Sequence, residues 1–334
     1  MIHIKFLGEC SVRMMKRKNL IKALLIAISM TAIGLIVGCT SSFAEPFDIS
    51  NIYYSYTTVS DSNEKYIIIT KHIVSQSDVK IPDTIYGIPV REIGDSVFAE
   101  DQLIKSVRFG KNVRRIGSNA FGKCTNLQSI TFNVSMSDVG DYAFQECVSL
   151  QSVVLPDHLE KLGRGSFYGC QNLSEVSIPQ EIKSIGGRAF GETAYLNSLS
   201  KETFVTVGDG ILIAYNGNQS ALKLPKTVKS ISGAFAGNTS LEKVTMRSGI
   251  TAVGDMAFMG CSSLKEINIP SSVTEIGGNA FYGCATVEKL IIPDSVQYIG
   301  ADAFTGCRAA LFVREGSYAE KYCAENKLDC FANK

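Results

Sequence analysis

The chain has 334 residues, of which 45% are hydrophobic and 19% are charged. This balance is typical of an ordered globular protein and excludes a largely disordered one. Residues 1–38 contain six basic residues and one acidic residue, so the remainder carries a formal charge of −4. A slightly acidic chain provides no electrostatic basis for nucleic-acid binding, and we expect no nucleic-acid partner.

The first 38 residues have the composition of a signal peptide. Residues 14–22 (MMKRKNLIK) are basic, and residues 23–38 (ALLIAISMTAIGLIVG) are uncharged and apolar. The apolar run is shorter than a typical membrane-spanning helix and matches the length of a signal-peptide core. Residues 1–13 fit neither part, which is consistent with a start codon assigned too far upstream.

The apolar run ends in the sequence IVGC at Cys39, which resembles a bacterial lipobox. In that motif the cysteine is lipidated and becomes the mature N-terminus. The resemblance therefore predicts a lipoprotein anchored through Cys39 to a membrane of the bacterial cell surface or envelope. The alternative is secretion after cleavage at Ala44, because the sequence SFA places small residues at the offsets that cleavage requires.

A 23-residue repeat occupies most of the remaining chain. Its phenylalanines are spaced by 23 residues at every step except one of 45 residues, between Phe190 and Phe235. A period of this length predicts a solenoid, in which each repeat forms one turn. The repeated residues are Phe98, Phe121, Phe144, Phe167, Phe190, Phe235, Phe258, Phe281 and Phe304.

One repeat illustrates the chemistry of a turn. Val176 and Ile178 alternate with polar neighbours, which predicts a short half-buried strand, and Pro179 ends it. Gly186 lies at a bend, where either a positive φ or a close backbone approach favours glycine. Phe190 then fills the interior. A single turn cannot bury its apolar side alone, whereas stacked turns share one continuous core.

The repeat resembles the leucine-rich repeats of BspA-like bacterial surface proteins over about residues 81–313. The resemblance implies a mainly β repeat solenoid, coiled right-handed around a parallel β-sheet, with an N-terminal β-cap and a short C-terminal helical cap. The predicted divisions are a signal peptide (1–38), a lipid tether with the N-terminal cap (39–80), a first block of repeats (81–190), an irregular β-hairpin insertion (191–227), a second block (228–313) and a C-terminal cap (314–334).

Six cysteines share one repeat position, which predicts two rows of three thiols at the strand spacing of about 4.8 Å. Parallel side chains suit neither disulfides, which need converging Cβ atoms, nor zinc, which needs ligands around one point. We therefore expect buried, unpaired thiols, with no metal site and no cofactor. Whether Cys323 and Cys330 form a disulfide stays open. The six repeat cysteines are Cys124, Cys147, Cys170, Cys261, Cys284 and Cys307.

The outward strand positions form the candidate binding surface. In the first block they are mainly small hydroxyl residues that follow a basic stretch, residues 105–115. In the second block acidic and basic residues alternate from turn to turn, which predicts ion pairs that neutralise one another. We expect a protein partner to dock on the first block, at Lys105, Ser106, Arg108, Ser129, Thr131, Ser152, Val154, Glu175 and Ser177.

The sequence supports binding rather than catalysis. His72 and His158 are the only histidines after the signal peptide, and neither lies in a zinc or nucleophile motif. BspA-like proteins are associated with attachment to host matrix proteins and to other cells. The resemblance therefore implies a non-catalytic protein-binding or adhesion module. The alternatives are a structural or accessory envelope lipoprotein that binds another bacterial component, and an exported enzyme.

Overall fold

The computed structural model describes residues 54–61, 64–73 and 75–332. These residues form a β-solenoid with parallel sheets and few helices, as the repeat period predicts. The expected signal peptide and Cys39 lie outside the described residues.

The described elements are short. The N-terminal cap and first block contain β1 (Tyr54–Asp61), β2 (Glu64–His72), β3 (Asp78–Lys80), β4 (Thr84–Ile85), β5 (Ile88–Ile93), β6 (Ser106–Arg108), β7 (Arg115–Ile116), β8 (Ser129–Thr131), β9 (Asp138–Val139), β10 (Ser152–Val154), β11 (Lys161–Leu162), β12 (Glu175–Ser177) and β13 (Ser184–Ile185). The rest contains α1 (Ala194–Ser198), β14 (Phe204–Val207), β15 (Ile211–Tyr215), β16 (Ala221–Lys223), β17 (Ser230–Ile231), β18 (Lys243–Thr245), β19 (Ala252–Val253), β20 (Glu266–Ile267), β21 (Glu275–Ile276), β22 (Lys289–Ile291), β23 (Tyr298–Ile299), β24 (Ala310–Val313), α2 (Tyr318–Asn326) and β25 (Cys330–Ala332).

Each regular turn contributes one strand to each of two parallel arrays. We call the array of mostly three-residue strands the first ladder; it comprises the sheets β3-β6-β8, β10-β12, β16-β18-β20 and β22-β24-β25. We call the array of mostly two-residue strands the second ladder; it runs β2-β5-β7-β9-β11-β13 and then β15-β17-β19-β21-β23. The sequence predicts a single parallel sheet, so the second ladder is an addition to that prediction.

The repeated phenylalanines form two stacks inside the coil. Centroids of neighbouring rings lie 4.6–5.9 Å apart, and neighbouring ring planes are within 10° of parallel. Other rings end each stack: His72 lies against Phe98 and Tyr322 against Phe304. The backbone beside each ring also joins the turns, since the Phe121 amide donates to the carbonyl of Ala143 in the next turn at 2.7 Å.

The repeated glycine allows neighbouring turns to approach closely. A Cβ atom on Gly140 would lie 2.7 Å from the carbonyl carbon of Gly117, well inside van der Waals contact. Gly140 does not have a positive φ, so close approach explains the glycine at this column. Positive φ occurs elsewhere in the turn, for example at Asn119 (56°) and Lys123 (61°).

The insertion separates two hydrophobic cores. β14 and β15 form an antiparallel hairpin, and β15 pairs in parallel with β17 of the next turn. Ile211 belongs to the first core and its neighbour Leu212 to the second, because successive strand residues point to opposite sides. Thr193 occupies the position of the repeat cysteine and caps α1, since its hydroxyl accepts the Leu196 amide.

The C-terminal cap closes the second core. Ser317 caps α2, whose buried residues Ala319, Tyr322 and Cys323 join that core. A disulfide links Cys323 to Cys330, which settles the pairing that the sequence leaves open. β25 then adds a last parallel strand to β24, so the helix and this strand together cover the end of the stack.

We predict that Gly140→Ala destabilises the protein by more than about 2 kcal/mol, because the new methyl group must displace the backbone of the preceding turn. Urea denaturation followed by circular dichroism measures this. In the control, Gly237→Ala, the Cβ meets open space and the cost is that of a left-handed φ of 76°, about 1–2 kcal/mol. An equal or smaller loss for Gly140→Ala would contradict the close-approach explanation.

Candidate protein-binding surface

The predicted docking residues lie along the outer face of the first ladder. Parallel pairing places Ser106 beside Ser129 and Arg108 beside Thr131. The same pairing places Ser152 beside Glu175, and Val154 beside Ser177. All nine predicted residues are exposed except Ser106, which is half-buried: Lys105, Ser106, Arg108, Ser129, Thr131, Ser152, Val154, Glu175 and Ser177.

Ser106 is half-buried because it contacts the N-terminal cap. Its hydroxyl donates to the Asp78 carboxylate at 2.6 Å, and this bond holds the pKa of Asp78 below its usual value. β3 pairs with β6, so Lys80 of the cap lies directly beside Arg108. The ladder that carries the predicted docking residues therefore extends one strand further toward the N-terminus, to β3.

The basic stretch divides between the two ladders. Arg108 lies on the first ladder and forms no ion pair within 4.0 Å anywhere in the described chain. Lys111 pairs with Asp83 at 3.5 Å in the loop that follows. Arg115 lies on the second ladder, where it pairs with Glu92 at 3.2 Å. The predicted basic cluster is thus not one patch: Arg108 lies within a first-ladder strand, and Lys105 directly precedes that strand.

The outer face of the second block is largely neutralised by its own ion pairs. Lys243 contacts Glu266, and Lys265 contacts Glu242 at 3.0 Å, as the alternating charges predict. The pattern stops there, because the Lys289 ammonium lies 4.3 Å from the ring centre of Phe312 in the next strand. A depression of about 620 Å³ runs along this face.

Neither a metal centre nor a membrane-spanning helix is found in the described ranges. No cluster of three or more histidine, cysteine, aspartate or glutamate side chains there could hold a metal ion. No helix within them is both long and apolar enough to cross a bilayer.

Comparison with known families identifies the type of repeat. Six copies of the BspA type leucine rich repeat region match residues 91–211 and 213–317, more than half of the chain. The chain belongs to the BspA-type leucine-rich repeat family. None of the curated proteins matches it.

Several solved structures match this BspA-type protein. A leucine-rich repeat protein from T. pallidum is 23% identical over 84% of this chain and 98% of its own, with a TM-score of 0.42. A leucine rich cell surface protein from Faecalibacterium prausnitzii is 25% identical over 84% and 99%, with a TM-score of 0.34. The pneumococcal vaccine antigen PcpA is 20% identical over 77% and 81%, with a TM-score of 0.36.

The five buried repeat cysteines of the BspA-type turns satisfy backbone carbonyls. The thiol of Cys124 donates to the carbonyl of Phe98 in the preceding turn at 3.1 Å, and the Cys261 thiol donates likewise to Phe235 at 3.1 Å. Burial raises the pKa of Cys124 and of Cys261 to about 12. Cys307, at the end of its row, is half-buried.

We predict that the repeat thiols of the native protein resist alkylation at pH 8, because a pKa of about 12 leaves almost no thiolate at Cys124 and Cys261. Iodoacetamide labelling followed by mass spectrometry should modify Cys307 first, since its side chain is half-buried rather than enclosed. Denatured, unreduced protein should react at all six positions. Detection of disulfides among these six cysteines would refute the assignment of unpaired thiols.

Proposed function

We propose that the protein is an exported, lipid-anchored and non-catalytic binding module that holds a protein partner on the first-ladder face of the first block. Membership of the BspA-type family supports a protein-binding role in general. The observation that supports the first block in particular is the contrast between Arg108, which has no ion-pair partner among the described residues, and the paired lysines of the second block.

The chemistry of this face suits an acidic segment of a partner protein. Arg108 lies at its N-terminal end, beside Lys80 in the strand register, and its guanidinium suits a partner carboxylate. Ser129 and Thr131 then offer hydroxyl groups that donate or accept hydrogen bonds. Val154 follows with 70% of its surface exposed, and it gives a partner an apolar contact within this polar strip.

The rigidity of the face supports binding as well. The strands of β6 and β8 are held in register by buried Val107 and partly buried Ile130 on their inner side. A partner therefore meets side chains whose backbones are already ordered, which lowers the entropy cost of association. The proposed partner is a protein of the host matrix or of another cell's surface. An accessory role on another bacterial envelope component would appear as binding to envelope fractions instead.

The anchor proposal concerns Cys39, which lies outside the described residues. We predict that Cys39→Ala moves the protein from the membrane fraction to the soluble or secreted fraction, because the lipid is attached to that sulfur. Fractionation followed by mass spectrometry of the mature N-terminus measures both effects. A wild-type protein that is already soluble and begins at Glu45 would show that Ala44, not the lipobox, marks the cleavage site.

The docking proposal predicts that Arg108→Glu weakens capture of host matrix proteins or envelope fractions by the purified protein at least about tenfold. Adding Ser129→Glu and Thr131→Glu should weaken it further, because three carboxylates then repel an acidic segment. These side chains are exposed, so unfolding free energies should change by only about 0.5 kcal/mol each.

Variants of the second block serve as the matched control. Glu266→Lys should cost some stability, because it breaks the contact with Lys243 and places two ammonium groups side by side. It should leave partner binding nearly unchanged. Loss of binding in Glu266→Lys together with full binding in Arg108→Glu would place the docking site on the second block instead.

A further inference from the structure

A cleft of about 360 Å³ lies where the second-ladder strands of the two blocks meet. Lys161, Lys183 and Ser184 line it from the first block, and Asp255, Glu275 and Tyr298 line it from the second. Its volume lies within the range of small-molecule sites and equals the share of about a dozen water molecules. No residue in the proposed docking face takes part in it.

Backbone contacts between the blocks hold the walls of the cleft in place. A Cβ atom on Gly233 would lie 2.7 Å from the backbone nitrogen of Arg188, so the bends of the two blocks touch without side chains between them. A Cβ atom on Gly187 would collide with the carbonyl oxygen of Asp255. The buried hydroxyl of Ser232 also donates to the carbonyl of Ile185 across the junction. The cleft is therefore preformed rather than a gap between independent parts.

The two walls carry opposite charge. Lys183 is neutralised by Glu160 at 2.8 Å, whereas Lys161 forms no ion pair in the described chain. On the opposite wall, the Asp255 carboxylate accepts the amide of Gly278 at 2.7 Å. The Glu275 carboxylate has neither a hydrogen bond nor an ion pair in the part of the chain that the structure describes. Among the charged side chains that line the cleft, Lys161 and Glu275 are thus the two that have neither a hydrogen bond nor an ion pair with the described residues.

The electrostatics of Glu275 link the walls across the cleft. Partial burial in the cleft raises the pKa of its carboxyl group, and the charge of Asp255 raises it further. Lys161, from the other block, acts in the opposite direction and lowers that pKa. Tyr298 is the register partner of Glu275 on the next strand, and its ring is half exposed. An aromatic face beside a carboxylate is a favourable surface for an ammonium group.

We propose that this cleft binds a small zwitterion of the class of free amino acids and short peptides. The ligand's ammonium group lies at Glu275 and Tyr298, and its carboxylate lies at Lys161. A ligand with a single charge is attracted by one wall and repelled by the other, whereas a zwitterion satisfies both unpaired groups. This site is separate from the docking face, and it stands or fails independently of partner binding there.

Triglycine is the probe for this site, and its two blocked forms are the controls. Isothermal titration of the purified protein should show saturable binding of triglycine. N-Acetyl-triglycine lacks the ammonium group and triglycine amide lacks the carboxylate, so each should bind at least about tenfold more weakly. Equal binding of the three peptides, or no saturation below about 10 mM, would overturn the proposal.

Substitutions then assign each end of the ligand to a wall. In Glu275→Gln, triglycine and N-acetyl-triglycine should bind alike, while the amide still binds more weakly. In Lys161→Gln, triglycine and its amide should bind alike, while the acetylated form still binds more weakly. Lys223→Gln and Glu181→Gln, both exposed and outside the cleft, should retain the wild-type preferences.

Thermal denaturation of each variant separates lost recognition from lost folding. Lys161 and Glu275 have exposed side chains on short strands, so we expect Tm values close to that of the wild type. A folded Lys161→Gln protein that keeps the wild-type preference for triglycine over its amide would refute the assignment. Propylamine or acetate binding as tightly as triglycine would instead show a site for a single charge.

Discussion

Contact between phenylalanine rings of successive turns is the interaction on which the rest of this solenoid depends. The rings lie about 5 Å apart, close to the 4.7–4.9 Å spacing of hydrogen-bonded strands. The interior and both ladders therefore impose nearly the same rise per turn. A turn shifted by one residue would carry its phenylalanine out of the core and lose its strand pairing. This shared spacing is why outward side chains align in straight columns, and why the first block presents a surface rather than a pocket.

The sequence predicts the parts of the fold that repeat, and it predicts them because repetition makes weak local signals add. The phenylalanine stacks and the first ladder follow from the 23-residue period, whereas the caps are expected from the family resemblance. The second ladder does not, because β7 holds only Arg115 and Ile116, and two residues are too few to display alternation. The sequence allows two explanations for the repeated glycine, a positive φ or a close backbone approach. Only the distance between Gly140 and Gly117 selects close approach.

The surfaces are predictable to the extent that they belong to a single turn. The outward orientation of Ser129 and Thr131 follows from their place in the strand. The contact of Lys289 with Phe312 does not, because Phe312 lies in the last turn, which departs from the repeat. The cleft is harder to predict from the sequence, because Lys161 and Glu275 belong to different blocks. They line one cleft only through the geometry of the junction. Long-range placement of this kind has no local signature in one sequence.

The carbonyl-to-thiol bond of the buried cysteines has a consequence for how such a protein changes its length in evolution. The thiol of Cys147 donates to the carbonyl of Phe121 in the turn before it, and the thiol of Cys170 donates to the carbonyl of Phe144 in the same way. Each turn joined in this way donates a thiol to the turn before it and offers a carbonyl to the turn after it. Tandem duplication of 23 codons therefore inserts a turn that meets such neighbours without any compensating change. Recombination within the first block lengthens or shortens its outer face by whole strands. The bends that join the two blocks are untouched by such events, so the reach of the surface and the shape of the junction are free to evolve separately.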